Sequence, residues 1–207
     1  MLRRAAPVIG IAAVAIVGTW LLFYWLPRWR GQPAAPAASA GTQTPPVPGR
    51  KITATLYYIA EDGMSLVGVQ REVPFGEPVA EQARWIVETQ LGSAPQPFAA
   101  AVPAGTTLRG VYVTERDCAA DAAAASGCQR DAFVDLSAQA RTGHTGGALD
   151  ELFTIYAIVD AVTVNLPVIS RVQILVEGKE VDTLAGHVDL RHPLEKNLKW
   201  VKTDKGE

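Results

Sequence analysis

The spacing of apolar and polar residues changes several times after Lys51. KITATLYYIAEDGMSLVGVQREV holds two β-prone runs around Glu61-Asp62-Gly63, and Asp-Gly between such runs predicts a hairpin. From Glu77 to Leu91 apolar residues recur at Val79, Ala83, Ile86, Val87 and Leu91, with Pro78 near the start and Gly92 just past the end. That spacing and those boundary residues predict an amphipathic helix. TTLRGVYVT and DAFVDLS read as a second strand pair, and GALDELFTIYAIVDAVTVN as a second helix with Asp150 and Glu151 in its first turn, where the helix dipole favours acids. Asp160 is the only charge of that stretch after Glu151, so the helix should be buried over much of its circumference. RVQILVEGKEVDTLAGHVDL then gives a strand with Val172, Ile174 and Val176 on one face, a turn at Gly178-Lys179 and a short closing strand. The order ββαββαββ predicts one α+β domain over residues 51–195, with two helices packed on an antiparallel or mixed sheet and a polar tail at 196–207.

Ahead of this domain the pattern is uniform rather than periodic. Ala5 to Leu26 gives 22 residues without a charge, long enough to cross a bilayer core of roughly 30 Å at about 1.5 Å per residue. Residues 1–30 therefore read as a membrane anchor, with one transmembrane helix at about 5–26. Trp20, Phe23, Tyr24, Trp25 and Trp29 crowd its C-terminal end, where amphipathic rings favour the headgroup level. Arg3 and Arg4 favour an N-terminus in the cytoplasm. Arg28 and Arg30 oppose that orientation, but a long following domain is translocated largely regardless of nearby charge. The expectation is a single-pass protein of the inner (cytoplasmic) membrane with its C-terminal domain outside the cytoplasm. A cleaved signal peptide is the alternative, with AASA at Ala37 to Ala40 resembling a cleavage site. The length of the run and its bulky aromatic end favour the anchor. Residues 31–50 hold five prolines, three glycines and five alanines with nothing periodic to bury, which predicts an extended linker reaching at most roughly 60 Å.

Charge divides the chain at the same place. Five of the 19 basic residues precede Lys51 and no acid does, which leaves fourteen bases against 21 acids from Lys51 onward, a net charge of −7. An acidic domain lacks the basic footprint that draws proteins to phosphate backbones, so nucleic acid is not an expected partner.

Few residues invite a chemical reading. Cys118 and Cys128 are the only cysteines, and they flank CAADAAAASGC where the two middle strands are joined. In an oxidising compartment they read as a disulfide, and closing such a loop is worth roughly 3 kcal/mol in the chain-entropy model. Two free thiols in an Ala-rich loop are the alternative. A catalytic cysteine is not expected, because neither CxxC spacing nor a neighbouring base activates the thiols. GHVDLRHP, Gly186 to Pro193, holds two of the three histidines, His187 and His192, with Asp189 between them. If Val188 and Leu190 point inward, His187 and Asp189 share the solvated face of a strand. Two ligands on one face fall short of the three that a catalytic zinc needs, so a metal-dependent hydrolase is the weaker rival. Ser137 has Asp135 and His144 nearby in sequence but no nucleophile elbow, and Asp135 and Ser137 read as turn residues after a strand. Asp160 is either a buried acid with a hydrogen-bonding partner or a residue facing solvent or another protein. The cost of an unpaired buried carboxylate favours the exposed reading. With Arg84 and Glu88 on the first helix, Asp160 makes up the candidate interaction surface. Catalytic, cofactor-binding and metal-binding residues are expected to be none.

VQILVEGKEVDTLAGHVDLRHPL, preceded by IVDAVTVNLPVISRV, together with LYYIAEDG, VPAGTTLRGVYV and FVDLS, resembles the germane domain family over most of Lys51 to Leu194. The motifs are distinctive as an ordered set and weak singly. The resemblance implies a non-catalytic α+β module of membrane-anchored bacterial envelope proteins, similar to ring-building domains of secretion and sporulation complexes and found also beside cell-wall amidase domains. This chain departs from the pattern in having one such domain rather than a tandem pair, and in the insertion carrying the cysteines. The expected partners are the membrane, through the N-terminal helix, and an envelope protein or weakly a second copy. Peptidoglycan or another small ligand is the alternative, and a concave site with aromatic walls would favour it.

Overall fold

In the computed structural model residues 49–116 and 129–202 are described. The expected anchor, most of the linker, and Cys118 and Cys128 lie outside them. Among the described residues no helix is long and apolar enough to cross a membrane.

β1 (Lys51–Ile59) and β2 (Leu66–Pro74) form the predicted hairpin, in unbroken register from Lys51 opposite Pro74 to Ile59 opposite Leu66. The Asp-Gly signal acts through Gly63, whose φ of 68° suits the missing Cβ, and through Asp62, whose carboxylate accepts the Met64 N–H at 3.0 Å. Helix α1 (Val79–Gln90) follows, with Ala83, Ile86 and Val87 fully buried as the periodicity requires. Strands β3 (Leu108–Arg116) and β4 (Gln129–Leu136) pair antiparallel, with a register shift between Leu108 and Gly110. A single turn, α2 (Gln139–Thr142), leads to the long helix α3 (Ala148–Asn165) and to β5 (Ile169–Val176), which runs parallel to β4. A parallel pair needs a long crossover, and α3 supplies it. Glu177 and Gly178, both at positive φ, turn β5 into the two-residue β6 (Lys179–Glu180), and β7 (Leu194–Glu195) pairs β5 at Arg171 and Val172.

The α+β class holds, with two corrections to the expected single sheet. The strands form a two-stranded sheet and a separate mixed five-stranded sheet. AGHVDL is not a closing strand, because β6 stops after Glu180 and the chain loops out until Leu194. α3 lies between the sheets and serves both cores. Ile155, Ile158, Val159 and Val162 pack with Val134, Val172 and Ile174, whereas Phe153, Ala157 and Ala161 pack with Ala54, Leu56 and Tyr58. Each large side chain buried in this way is worth roughly 1.5–3 kcal/mol of transfer free energy.

Side chains keep the sheets from merging at β1. Asn165 accepts the Thr55 N–H at 2.8 Å and donates to the Thr55 carbonyl at 2.8 Å. Gln90 does the same for Tyr57, at 2.9 Å and 2.6 Å. Two amides, one at the end of each long helix, thus stand in for a neighbouring strand, and Ile59 completes the edge by exchanging backbone bonds with Ala99 at 2.9 and 3.0 Å. The segment read as the start of a polar tail is also structured. From β7 it crosses a 3-10 turn at Leu198–Trp200, bridges Leu66 through Val201, and donates the Lys202 N–H to the Leu66 carbonyl at 2.8 Å. Residues 194–202 therefore form a strap bonded to both sheets.

Replacing Gln90 by Ala removes the acceptor and donor that Tyr57 uses on its buried side, at an expected cost of about 1–3 kcal/mol. Hydrogen exchange should show the Tyr57 amide losing protection selectively, with the Leu56 amide unaffected. Unchanged protection at Tyr57 would show that the amide does not close this edge.

Candidate interaction surface

The GHVDLRHP segment is organised by a residue outside it. Glu151, fully buried in the first turn of α3, accepts the backbone N–H groups of Leu184, Ala185 and His187 at 2.7, 2.8 and 2.7 Å. The His187 ring adds a contact from Nδ1 at 3.1 Å. Burial alone would raise the Glu151 pKa, but the three N–H donors and His187 together outweigh it and hold the group below its ordinary value. Asp189 lies exposed beside Arg191 at 2.7 Å and is held well below the usual carboxylate range by the hydrogen bonds from Arg191. His192 is exposed just before Pro193. Among the described residues no group of three His, Cys, Asp or Glu side chains is placed to hold a metal ion. The histidines follow a loop whose backbone is fastened to α3.

Asp160 requires a correction. Expected on the surface, it is fully buried on α3, where one oxygen accepts the Asn197 N–H at 2.8 Å and Oδ2 has no partner. Burial pushes its pKa up to about 6, against the smaller lowering effects of the Asn197 N–H and Lys196. Tyr57 nearby is pushed up to about 12, by burial first and then by the Asp160 charge. The residue therefore pins the strap to the helix and cannot face a partner.

The structure does not bring the serine, aspartate and histidine together as a catalytic set. The Ser137 hydroxyl accepts the Thr107 N–H at 3.0 Å. Asp135, a buried strand residue rather than a turn residue, accepts from Arg109 at 3.1 Å and from the Gly178 N–H at 2.7 Å. His144 instead lines an open cleft of about 570 Å³ with Asp150 and Thr154, against Gly92, Ala101 and Pro103. Burial lowers the His144 pKa, opposed by the charges of Glu151 and Asp150. No Phe, Tyr or Trp among the described residues lines the cleft.

Arg84 and Glu88 do share an outward face of α1, half-buried and paired at 2.8 Å, with Arg84 also bonded to Glu81 at 3.2 Å. The Arg84 guanidinium lies 5.0 Å from the Trp85 ring. More exposed apolar surface lies elsewhere. Met64 in the β1–β2 turn is 67% exposed, and Leu198 and Trp200 on the strap are 43% and 38% exposed. The Val201–Leu66 bridge and the Lys202–Asp62 ion pair tie these two segments together. Tyr112 on β3, at 59%, is the other large exposed aromatic among the described residues.

This fold and these motifs agree with the sequence family. The Germane family, described as "Sporulation and spore germination", matches residues 55–182, and the chain belongs to it. No curated protein sequence matches the chain. Among solved structures it is similar to a provisionally assigned lipoprotein from Clostridium perfringens, at 21% identity and a TM-score of 0.47, covering 70% of this chain and 88% of that one. It is also similar to the first GerMN domain of the sporulation protein GerM from Bacillus subtilis, at 20% identity and a TM-score of 0.48, covering 70% and 97%. Against the tandem GerMN domains of the same protein the values are 21% and 0.49, covering 70% of this chain and 46% of that one.

Two substitutions separate the buried acids. Glu151→Ala leaves three backbone donors without their acceptor and should cost on the order of 3 kcal/mol or more in urea denaturation, whereas His187→Ala should cost under about 1 kcal/mol. Equal losses would show that the ring, not the carboxylate, fastens the loop. Asp160 acts in the opposite sense. Its folded pKa of about 6 lies above the ordinary 3.8, so the folded state binds the proton more tightly and stability falls as pH rises from about 4 to about 6. Asp160→Asn keeps the acceptor for Asn197 and removes the charge. It should stabilise the protein by about 1–3 kcal/mol at pH 7.5 and change little at pH 4. Destabilisation at pH 7.5 would refute this account.

Proposed function

We propose that the chain is a non-catalytic interaction or assembly module of the bacterial cell envelope. In this reading the N-terminal segment spans the inner membrane once, with its N-terminus in the cytoplasm, and the linker holds the Germane domain outside. The observation that carries the interaction role is the exposed apolar group Met64, Leu198 and Trp200 on two segments bonded to each other. The linker joins at the opposite end of β1, roughly 25 Å away for a nine-residue strand. Exposed apolar surface of this kind marks sites of contact with another protein. The absence of catalysis is supported by how the polar side chains are used. Glu151, Asp135, Ser137 and Asp160 accept from backbone N–H groups rather than meeting a nucleophile or base. The alternative, an accessory module binding peptidoglycan or a small ligand, would use the cleft at His144 and Asp150.

Photo-crosslinking from Met64 or Leu198 in the full chain, in its native membrane, is expected to yield a discrete protein adduct. Met64→Ser with Leu198→Ser should reduce co-purification of that protein at least severalfold without shifting the melting temperature. If neither position gives an adduct, and the purified chain instead sediments with cell-wall sacculi in a manner abolished by Asp150→Ala, the ligand-binding reading replaces this one.

A further inference from the structure

The strand edges of this domain are treated unequally. β1 is closed by Asn165, Gln90 and Ala99. The second edge of β5 is covered by β6 and β7, with the Gln173 side chain donating to the Leu190 carbonyl between them. The strap bonds the outer side of β2 at Leu66 alone, and the rest of that edge carries Arg71 and Glu72 and ends in Pro74. Among the described residues β3 pairs only with β4; it runs for nine residues and contains neither proline nor lysine. Its guards are the register shift near its start and the charged residues Arg109 and Glu115 toward its ends, which leaves Gly110–Thr114 between them unguarded. Long, flat, unguarded edges are what natural proteins avoid unless another strand covers them.

We propose that β3 is where a second copy of this chain docks, strand against strand and antiparallel, about a two-fold axis at Tyr112. A second copy presents the same open edge, and symmetric pairing is self-complementary. In this register Tyr112 stands opposite its own equivalent, Val111 opposite Val113, and Gly110 opposite Thr114. Tyr112 already sits beside Phe133 across the β3–β4 ladder. The joined sheet therefore carries a row of four aromatic rings, Phe133 and Tyr112 from each copy, on the face away from the helices. Aromatic cross-strand pairs of this kind add to sheet stability. Gly110 leaves the row uncrowded, because a Cβ there would lie 3.1 Å from the Tyr112 hydroxyl.

Charge does not oppose the contact. Arg109 comes level with Glu115 of the second copy, so residues of opposite sign meet at each end of the paired strands. The acids beside the aromatic row are tied to cations, Asp131 to Arg171 at 2.6 Å and Asp135 to Arg109 at 3.1 Å. The domain's net charge of −7 is thus not concentrated at this edge. The inference rests on the proposed membrane tether in one respect, since tethering raises the local concentration at which a weak edge contact forms.

The test places a photo-reactive benzoylphenylalanine at Tyr112 of the full chain in its native membrane. The expected product is an adduct of twice the chain mass whose cross-linked peptides both derive from 108–116. With the probe moved to Thr114, Tyr112→Lys sets like charges across the axis and should reduce the adduct at least tenfold, while Tyr112→Phe should retain it. Both variants should keep the parent melting temperature. Adducts to a different protein from Tyr112, or none while a probe at Met64 still captures a partner, would overturn self-pairing and leave the interaction module intact. Failure at every position would remove both.

Discussion

A helix buried on two sides cannot carry a polar side chain without a partner, and α3 uses that constraint to hold the domain together. Its apolar residues face both sheets, while four of its polar ones each grip a different piece of chain and Thr163 bonds back to Val159 within the helix. Glu151 holds the loop at 184–187, the Thr154 hydroxyl donates to the Ala101 carbonyl, Asp160 holds Asn197 and Asn165 closes the edge at Thr55. These partners lie 33 or more residues away in sequence, so the three loop segments and the strand β1 that carry them are positioned by the helix as well as by their own local structure. Apolar contact would press such segments against the helix without setting their register. A directional bond to a buried group does set it, because leaving that group unpaired costs more than the bond gains.

Glu151 and Asp160 show how the number of donors decides the outcome of burying a carboxylate. Both are fully excluded from solvent on the same helix. Three backbone N–H groups and an imidazole meet Glu151, and the charged form is favoured despite desolvation. One N–H meets Asp160, an oxygen is left over, and desolvation wins. The loop at 184–187 is thus held most firmly above the carboxylate range, while the strap is attached through a group that would be more stable uncharged.

Much of this was readable in the sequence where the signal was local. The Asp-Gly turn, the 3.6-residue spacing of α1 and the apolar length of α3 each specify an element without reference to the rest of the chain. The roles of the acids were less visible, because position on a helix face matters only once both faces are known to be covered. Glu151 falls in line with Ile155, Ile158 and Val162, and Asp160 with Phe153 and Ala157. Extending the apolar stripes through the acids would have placed both inside. The general cost of burying a carboxylate pointed the other way, and it ignored donors supplied from distant loops. The split into two sheets was hidden for a similar reason, since alternation specifies strands but not that Gln90 and Asn165 would occupy the edge where a third strand could pair.

The fasteners also bear on function. A carboxylate that accepts three backbone bonds is satisfied and immobile, and it cannot move a proton without releasing the loop it holds. The same argument applies to Asp135, tied at once to Arg109 and to the turn at Gly178. Residue types that would attract attention in an enzyme are therefore spent on architecture, and His187 beside Glu151 is the clearest case. Apart from the cleft at His144 and Asp150, the unfastened surface among the described residues includes the open sides of β2 and β3 and the end formed by the hairpin turn and the strap. Such surface gains free energy only by being covered. The β1 edge and the far edge of the five-stranded sheet are closed by groups that can be named, and under the proposed reading the surface left open is where another chain makes contact.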